Sequence, residues 1–103
     1  MTERVPAALS RPSQVLFRSI VGDYVIEPWQ VRLVTESLRS LDRAEQAREQ
    51  IAREGLTTTT RLGEVKAHPL LMVERDQRAA FARMMKQLGL DLEGPPPPSA
   101  RRR

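Results

Sequence analysis

"LTTTTRLGEVKAHP", residues 56–69, decides how this chain folds, because it reads as strand in a sequence that otherwise reads as helix. Threonine is β-branched, stiff at χ1 and better suited to a pleated strand than to a helix, so residues 56–60 predict a strand and residues 64–67 its return. Arg61-Leu62-Gly63-Glu64 makes the connection, with Gly63 free to take the positive φ that a tight hairpin requires. An isolated two-stranded hairpin is marginally stable in water, since its second face and both edges find no partner. It needs support from the helices it joins or from a neighbouring subunit.

Helical patterns lie on both sides. Upstream, Pro28 suits the first helical position, and apolar residues recur at Val31, Val34, Leu38, Leu41, Ala44 and Ile51 before Gly55. That predicts an amphipathic helix of about 27 residues, roughly 40 Å long at 1.5 Å per residue. Glu49 and Arg53 stand in the favourable acid-first i,i+4 order on its charged outer face. Downstream, His68-Pro69 opens a second long helix with the stripe Leu70, Val73, Ala80, Phe81, Met84, Met85 and Leu88, closed by Gly89. A shorter helix, from Pro12 or Ser13 to Val21 and ended by Gly22, carries Val15, Leu16, Phe17 and Ile20 as its apolar face.

The expected fold is mainly α: a short N-terminal helix, two long antiparallel helices joined by a β-hairpin, and a disordered Pro/Arg-rich tail. Residues 1–11 read as a flexible N-terminus, 12–92 as one helical domain and 93–103 as the tail. The segment "DLEGPPPPSARRR" favours an extended polyproline course and has no apolar residue after its prolines to fold around except Ala100. Two packed helices bury only one side of each stripe, so neighbouring copies are the natural cover for the remainder, and an oligomer is expected. Candidate oligomerisation residues are Thr57, Thr58, Thr59, Thr60 and Val65 on the hairpin and Leu38 and Leu41 on the long helix.

Composition narrows the function classes. With 103 residues the chain supports one small core, and its four aromatics are Phe17, Tyr24, Trp29 and Phe81. Cysteine is absent, which removes disulfides, thiolate metal sites and thiol nucleophiles and fits a reducing interior. No apolar run approaches the roughly 20 residues of a membrane span, and "MTERVPAALSRPS" lacks the apolar middle of a signal peptide; the expectation is a soluble protein away from membranes. The net charge of +4 is uneven: residues 1–27 and 28–54 each balance, and the excess lies in residues 55–103.

No phosphate-binding glycine loop, dinucleotide-binding turn or nucleophile elbow occurs. The lone histidine, His68, has no evident partner for metal or acid/base work, and its place before Pro69 suits a helix entry. Glu74 and Asp76 are two apart and diverge on a helix, so they form no converging carboxylate pair, whereas Glu74 and Arg78 are an i,i+4 ion pair. Met84 and Met85 read as core filling. An enzyme is not expected, and no cofactor is implied. Arg11, Arg18, Lys66, Arg75, Arg78, Arg83 and Lys86 are candidate phosphate contacts, since phosphate binding needs only a reachable positive charge. Repeating the net charge around an oligomer would create a collective field attractive to DNA.

The stretch "EGLTTTTRLGEVKAHPLLMVERDQRAAFARMMKQLGLD", residues 54–91, resembles the P27 family of phage terminase small subunits. The shared pattern is a charged helix ending at Gly55, a threonine strand, the Gly63 turn, Lys66 leading to His68-Pro69, then Glu74-Arg75-Asp76 and a helix ending in Leu88-Gly89-Leu90. The upstream helices are similar too, so the resemblance covers roughly residues 14–92. It implies a non-enzymatic part of a DNA-packaging motor that forms a ring-like homo-oligomer. Such a subunit binds viral double-stranded DNA, delivers it to the large subunit holding the ATPase and nuclease, and modulates that partner. The place of action is the cytoplasm of the infected bacterial host. Residues 12–92 would then be the oligomerisation and DNA-recognition domain, and Arg101, Arg102 and Arg103 would contact DNA or the large subunit. Two other readings of the same residues are a dimeric helical DNA-binding regulator and a structural adaptor whose basic tail binds an acidic protein.

Overall fold

A computed structural model of the chain describes residues 4–24 and 26–90. Three helices, α1 (Arg11–Asp23), α2 (Pro28–Glu54) and α3 (Leu70–Gln87), flank one antiparallel hairpin of β1 (Thr57–Thr59) and β2 (Val65–Ala67) between α2 and α3. This is the mainly helical architecture expected from the sequence. The tail, residues 93–103, lies outside the described residues.

Two links fix the antiparallel course of α2 and α3: Arg78 reaches Glu45, and His68 reaches Glu54, so residues later in α2 meet residues earlier in α3. The core sits at the far end of this pair from the hairpin. There Val34 and Leu38 of α2 meet Met85, Leu88 and Leu90, and α1 closes the cluster with Phe17. Leu38 is 0% exposed, and its truncation to alanine would cost about 2–5 kcal/mol. The stripe expected on α2 is thus the one that packs, extended by the small residues Ser37, Ser40 and Ala47. Their small side chains leave room for a packed neighbour.

Helix ends follow local chemistry. Pro28 opens α2, where the Gln30 side chain accepts from the Glu27 N–H at 2.8 Å. At the end of α3 the Leu90 N–H reaches the Met85 carbonyl at 2.8 Å and the Gly89 N–H reaches Lys86 at 3.0 Å, with Gly89 at φ 74°. Those two bonds form a Schellman motif, and its apolar clasp joins Met85 to Leu90, both in the core. The Leu-Gly-Leu sequence is therefore a stop signal and a core contribution together.

The structure corrects the N-terminal reading in three places. Gly22 does not end α1, which runs on to Asp23, and it has no positive φ. Val15 and Leu16 face outward; Phe17, with Ile20 and Val21 beside it, faces the core. Over so few turns the periodicity fitted two faces, and the packing of Phe17 chose between them. Finally, Leu9 and Ser10, assigned above to a flexible N-terminus, belong with the folded unit. Leu9 is buried in the core, and Ser10 caps α1 by accepting from the Ser13 N–H at 3.3 Å.

Asp42 of α2 fastens this end. Its carboxylate accepts from the Ser10 N–H at 2.8 Å, the Ser10 hydroxyl at 2.6 Å and the Ser13 hydroxyl at 2.5 Å. One side chain on α2 thereby satisfies the cap residue of α1 and a buried serine at once.

Candidate functional site

The hairpin is held at its stem and projects beyond it. Thr57 pairs with Ala67, Thr58 with Lys66 and Thr59 with Val65. The turn is closed by the Gly63 N–H on the Thr60 carbonyl at 3.0 Å and by the Thr60 N–H on the Glu64 carbonyl at 2.8 Å, with Gly63 at φ 84°. A glycine at positive φ as the last of three loop residues matches the bulged hairpin turn, and positive φ is what Gly63 was expected to supply. Leu62 at the tip is 89% exposed and Val65 69%, and no strand residue is buried. The turn and the second strand thus carry the large apolar side chains of Leu62 and Val65 mostly into solvent.

His68 locks the stem. It is 4% exposed, and its Nδ1 accepts from the Leu70 N–H at 3.1 Å, satisfying one free donor at the start of α3. With Nδ1 accepting, the ring proton sits on Nε2 and is donated to the Glu54 carboxylate at 2.7 Å. The His68 N–H also reaches the Leu56 carbonyl at 2.8 Å, so this one residue joins the end of α2, the hairpin and the start of α3. Hydrogen bonds from His68, then from Gln50, hold the Glu54 carboxyl below its usual value. Pro69 precedes α3 rather than filling its first position.

The seven basic residues singled out in the sequence are not equivalent. Lys66 pairs with Glu64 at 3.7 Å and Arg75 with Asp76 at 3.4 Å. Arg78 is committed to the helix pair, bound to Glu45 at 3.0 Å and to Glu74 at 3.1 Å. Burial opposes its charge, but the hydrogen bonds to Glu45 and Glu74 outweigh that effect and its pKa is raised. Arg11, Arg18, Arg83 and Lys86 are exposed and form no ion pair among the described residues. The structure does not gather the seven into one patch: they spread over α1, the hairpin and α3.

On α2 the charges are sorted by side, which net charge conceals. Arg32, Arg39 and Arg43 are spaced by seven and four residues and so lie within about 40° of one another on the helix wheel, all exposed. Asp42, Glu45 and Glu49 occupy a different side, where Asp42 holds α1 and Glu45 holds Arg78. The anticipated Glu49–Arg53 pair does not form among the described residues; Arg53 donates to Gln50 at 2.5 Å.

Of the oligomerisation candidates, Thr57 and Thr59 are exposed, Thr58 and Thr60 half-buried, and Val65 is open to solvent. Leu38 is enclosed in the chain's own core and has no surface to offer a neighbour, while Leu41 packs partly against that core. Arg101, Arg102 and Arg103 lie outside the described residues. Sequence periodicity missed Met72, 61% exposed, and Leu56, both large and apolar beside the hairpin in the chain.

Residues 16–103 match the family model described as phage terminase, small subunit. The chain belongs to the phage terminase small-subunit family. No curated protein and no solved structure matches it. Terminase small subunits take part in packaging the phage genome, are generally non-catalytic, and act in the cytoplasm of the infected host. No described helix of this one is long and apolar enough to cross a membrane.

Proposed function

We propose that this terminase small subunit is of the P27 type and works as a ring-like homo-oligomer that binds viral double-stranded DNA and presents it to the large subunit. The large subunit supplies ATPase and nuclease, and the small subunit regulates it. The observation that carries the assembly part of the reading is the projecting hairpin. It exposes Leu62 at its turn and Val65 on a two-stranded unit not stable alone, and burial of such surface is worth about 25 cal/mol per Å². A neighbouring copy would cover it, with Thr57, Thr58, Thr59 and Thr60 at the seam. Free cations on α1 and α3, above all Arg11, Arg18, Arg83 and Lys86, supply phosphate contacts, and residues 12–92 form the working domain.

Because Leu62 and Val65 are largely exposed, a Leu62→Asp/Val65→Asp variant keeps the subunit's own core. Sedimentation velocity should show a large assembly for the unaltered chain and single subunits for the variant, with the same helical circular dichroism. An assembly of unchanged size in the variant would remove the hairpin from the interface.

A further inference from the structure

The outward side of α2 carries three arginines that the segment's zero net charge hides. Arg32 and Arg43 form no ion pair among the described residues, and Arg39 is bound only to Glu36, at 3.2 Å. At 1.5 Å per residue the three guanidinium stems follow one another by about 10 Å and about 6 Å. Arg39 and Arg43 also line a groove with Ala8, Leu9 and Ser10, so one wall of it is the segment that leads into α1 and ends at its cap residue. A helix start carries partial positive charge. The acid in that groove, Asp42, already accepts three hydrogen bonds from Ser10 and Ser13. Against the charges of Asp42 and Glu36, the three arginines leave this side with a positive excess.

We propose that Arg32, Arg39 and Arg43 form a phosphate-binding ridge on α2 that lies along the backbone of duplex DNA; this rests on the DNA-binding reading above. A duplex presents one negative charge per roughly 1.7 Å of its axis, so a ridge about 16 Å long meets several phosphates whatever the base sequence. Arginine suits the task, because its planar fork stays charged and pairs with phosphate through two N–H groups. The ridge gives register on the backbone and no base readout. Glu36, clamped to Arg39, sets how much of that charge is available.

The test is the salt dependence of binding to a fluorescent duplex of arbitrary sequence, for the full chain and for an Arg32→Gln/Arg39→Gln/Arg43→Gln variant. Each phosphate contact contributes about 0.9 to the slope of log affinity against log salt, so the variant's slope should be shallower by roughly 2 to 3 for each engaged subunit. Glu36→Gln, which frees Arg39, should bind more tightly than the unaltered chain. An unchanged slope in the triple variant, with tight binding by the unaltered chain, overturns the ridge and leaves DNA binding standing. No binding by the unaltered chain at low salt overturns the DNA-binding reading and the ridge with it.

Discussion

His68 shows what one residue can decide. Its neighbours in sequence predicted a structural role at a helix entry, and that role is legible because Pro69 follows it. Its partner was not legible, since Glu54 lies 14 residues earlier and meets it only once the hairpin has closed. The pair makes stability depend on pH in a definite direction. The Glu54 carboxyl titrates lower in the folded chain than its ordinary value of 4.5, so its contribution is complete above that value and fades as pH falls through the lower folded one. The unaltered chain should therefore melt at higher temperature than Glu54→Gln at pH 6, with the gap closing as pH falls toward 3. A gap constant across that range would place the effect outside the titration of Glu54. Gly89 acts at the same scale. It holds φ 74° with no atom within 4 Å of where a side chain would begin, so Gly89→Ala should cost about 1 kcal/mol through backbone conformation alone. Urea unfolding would measure it, and a loss of several kcal/mol would show steric crowding instead.

Among the elements, the long helices and the hairpin were legible, while the face of the short helix was read only in part, Phe17 and Ile20 turning to the core and Val15 and Leu16 away from it. Long stripes on α2 and α3 leave one solution, whereas thirteen residues of α1 fit two faces until Phe17 meets Val34 and Leu38. The Asp42 clamp was equally hidden, because two serines and an aspartate about 30 residues apart carry no local pattern. Asp42→Ala should loosen α1 by about 1–3 kcal/mol, the cost of leaving the Ser10 N–H and the buried Ser13 hydroxyl without their acceptor. Chemical denaturation would report it; an effect under about 0.5 kcal/mol would mean that Phe17 alone holds the helix. In the hairpin, Gly63→Val forces a β-branched residue to φ 84° at a cost of about 1–2 kcal/mol per residue. It should shrink the assembly seen in sedimentation while helical circular dichroism stays the same. An assembly of undiminished size would show that the turn does not shape the interface.

As a whole molecule the chain has its core at the α1 end and exposed apolar side chains at both ends, Leu56, Leu62 and Val65 at the hairpin and Val15, Leu16 and Trp29 at the other. Segment-by-segment charge pointed to the C-terminal half as the basic region. Folding adds to that assignment: Arg75 and Arg78 are paired there and Arg83 and Lys86 are not, while α2, balanced in net charge, turns Arg32, Arg39 and Arg43 to one side. Charge counted along a chain does not resolve the sides of a helix. Removing residues 95–103 should leave the assembly intact and weaken only contacts to DNA or the large subunit, so a collapse of the oligomer on truncation would reassign the tail to assembly. The central claim is that the exposed hairpin end is completed by other copies of the chain. Native mass spectrometry of the full chain, with and without duplex DNA, tests it most directly. The expected result is one closed homo-oligomer of more than two subunits that gains the mass of bound DNA, and a monomer or dimer across micromolar concentrations would contradict it.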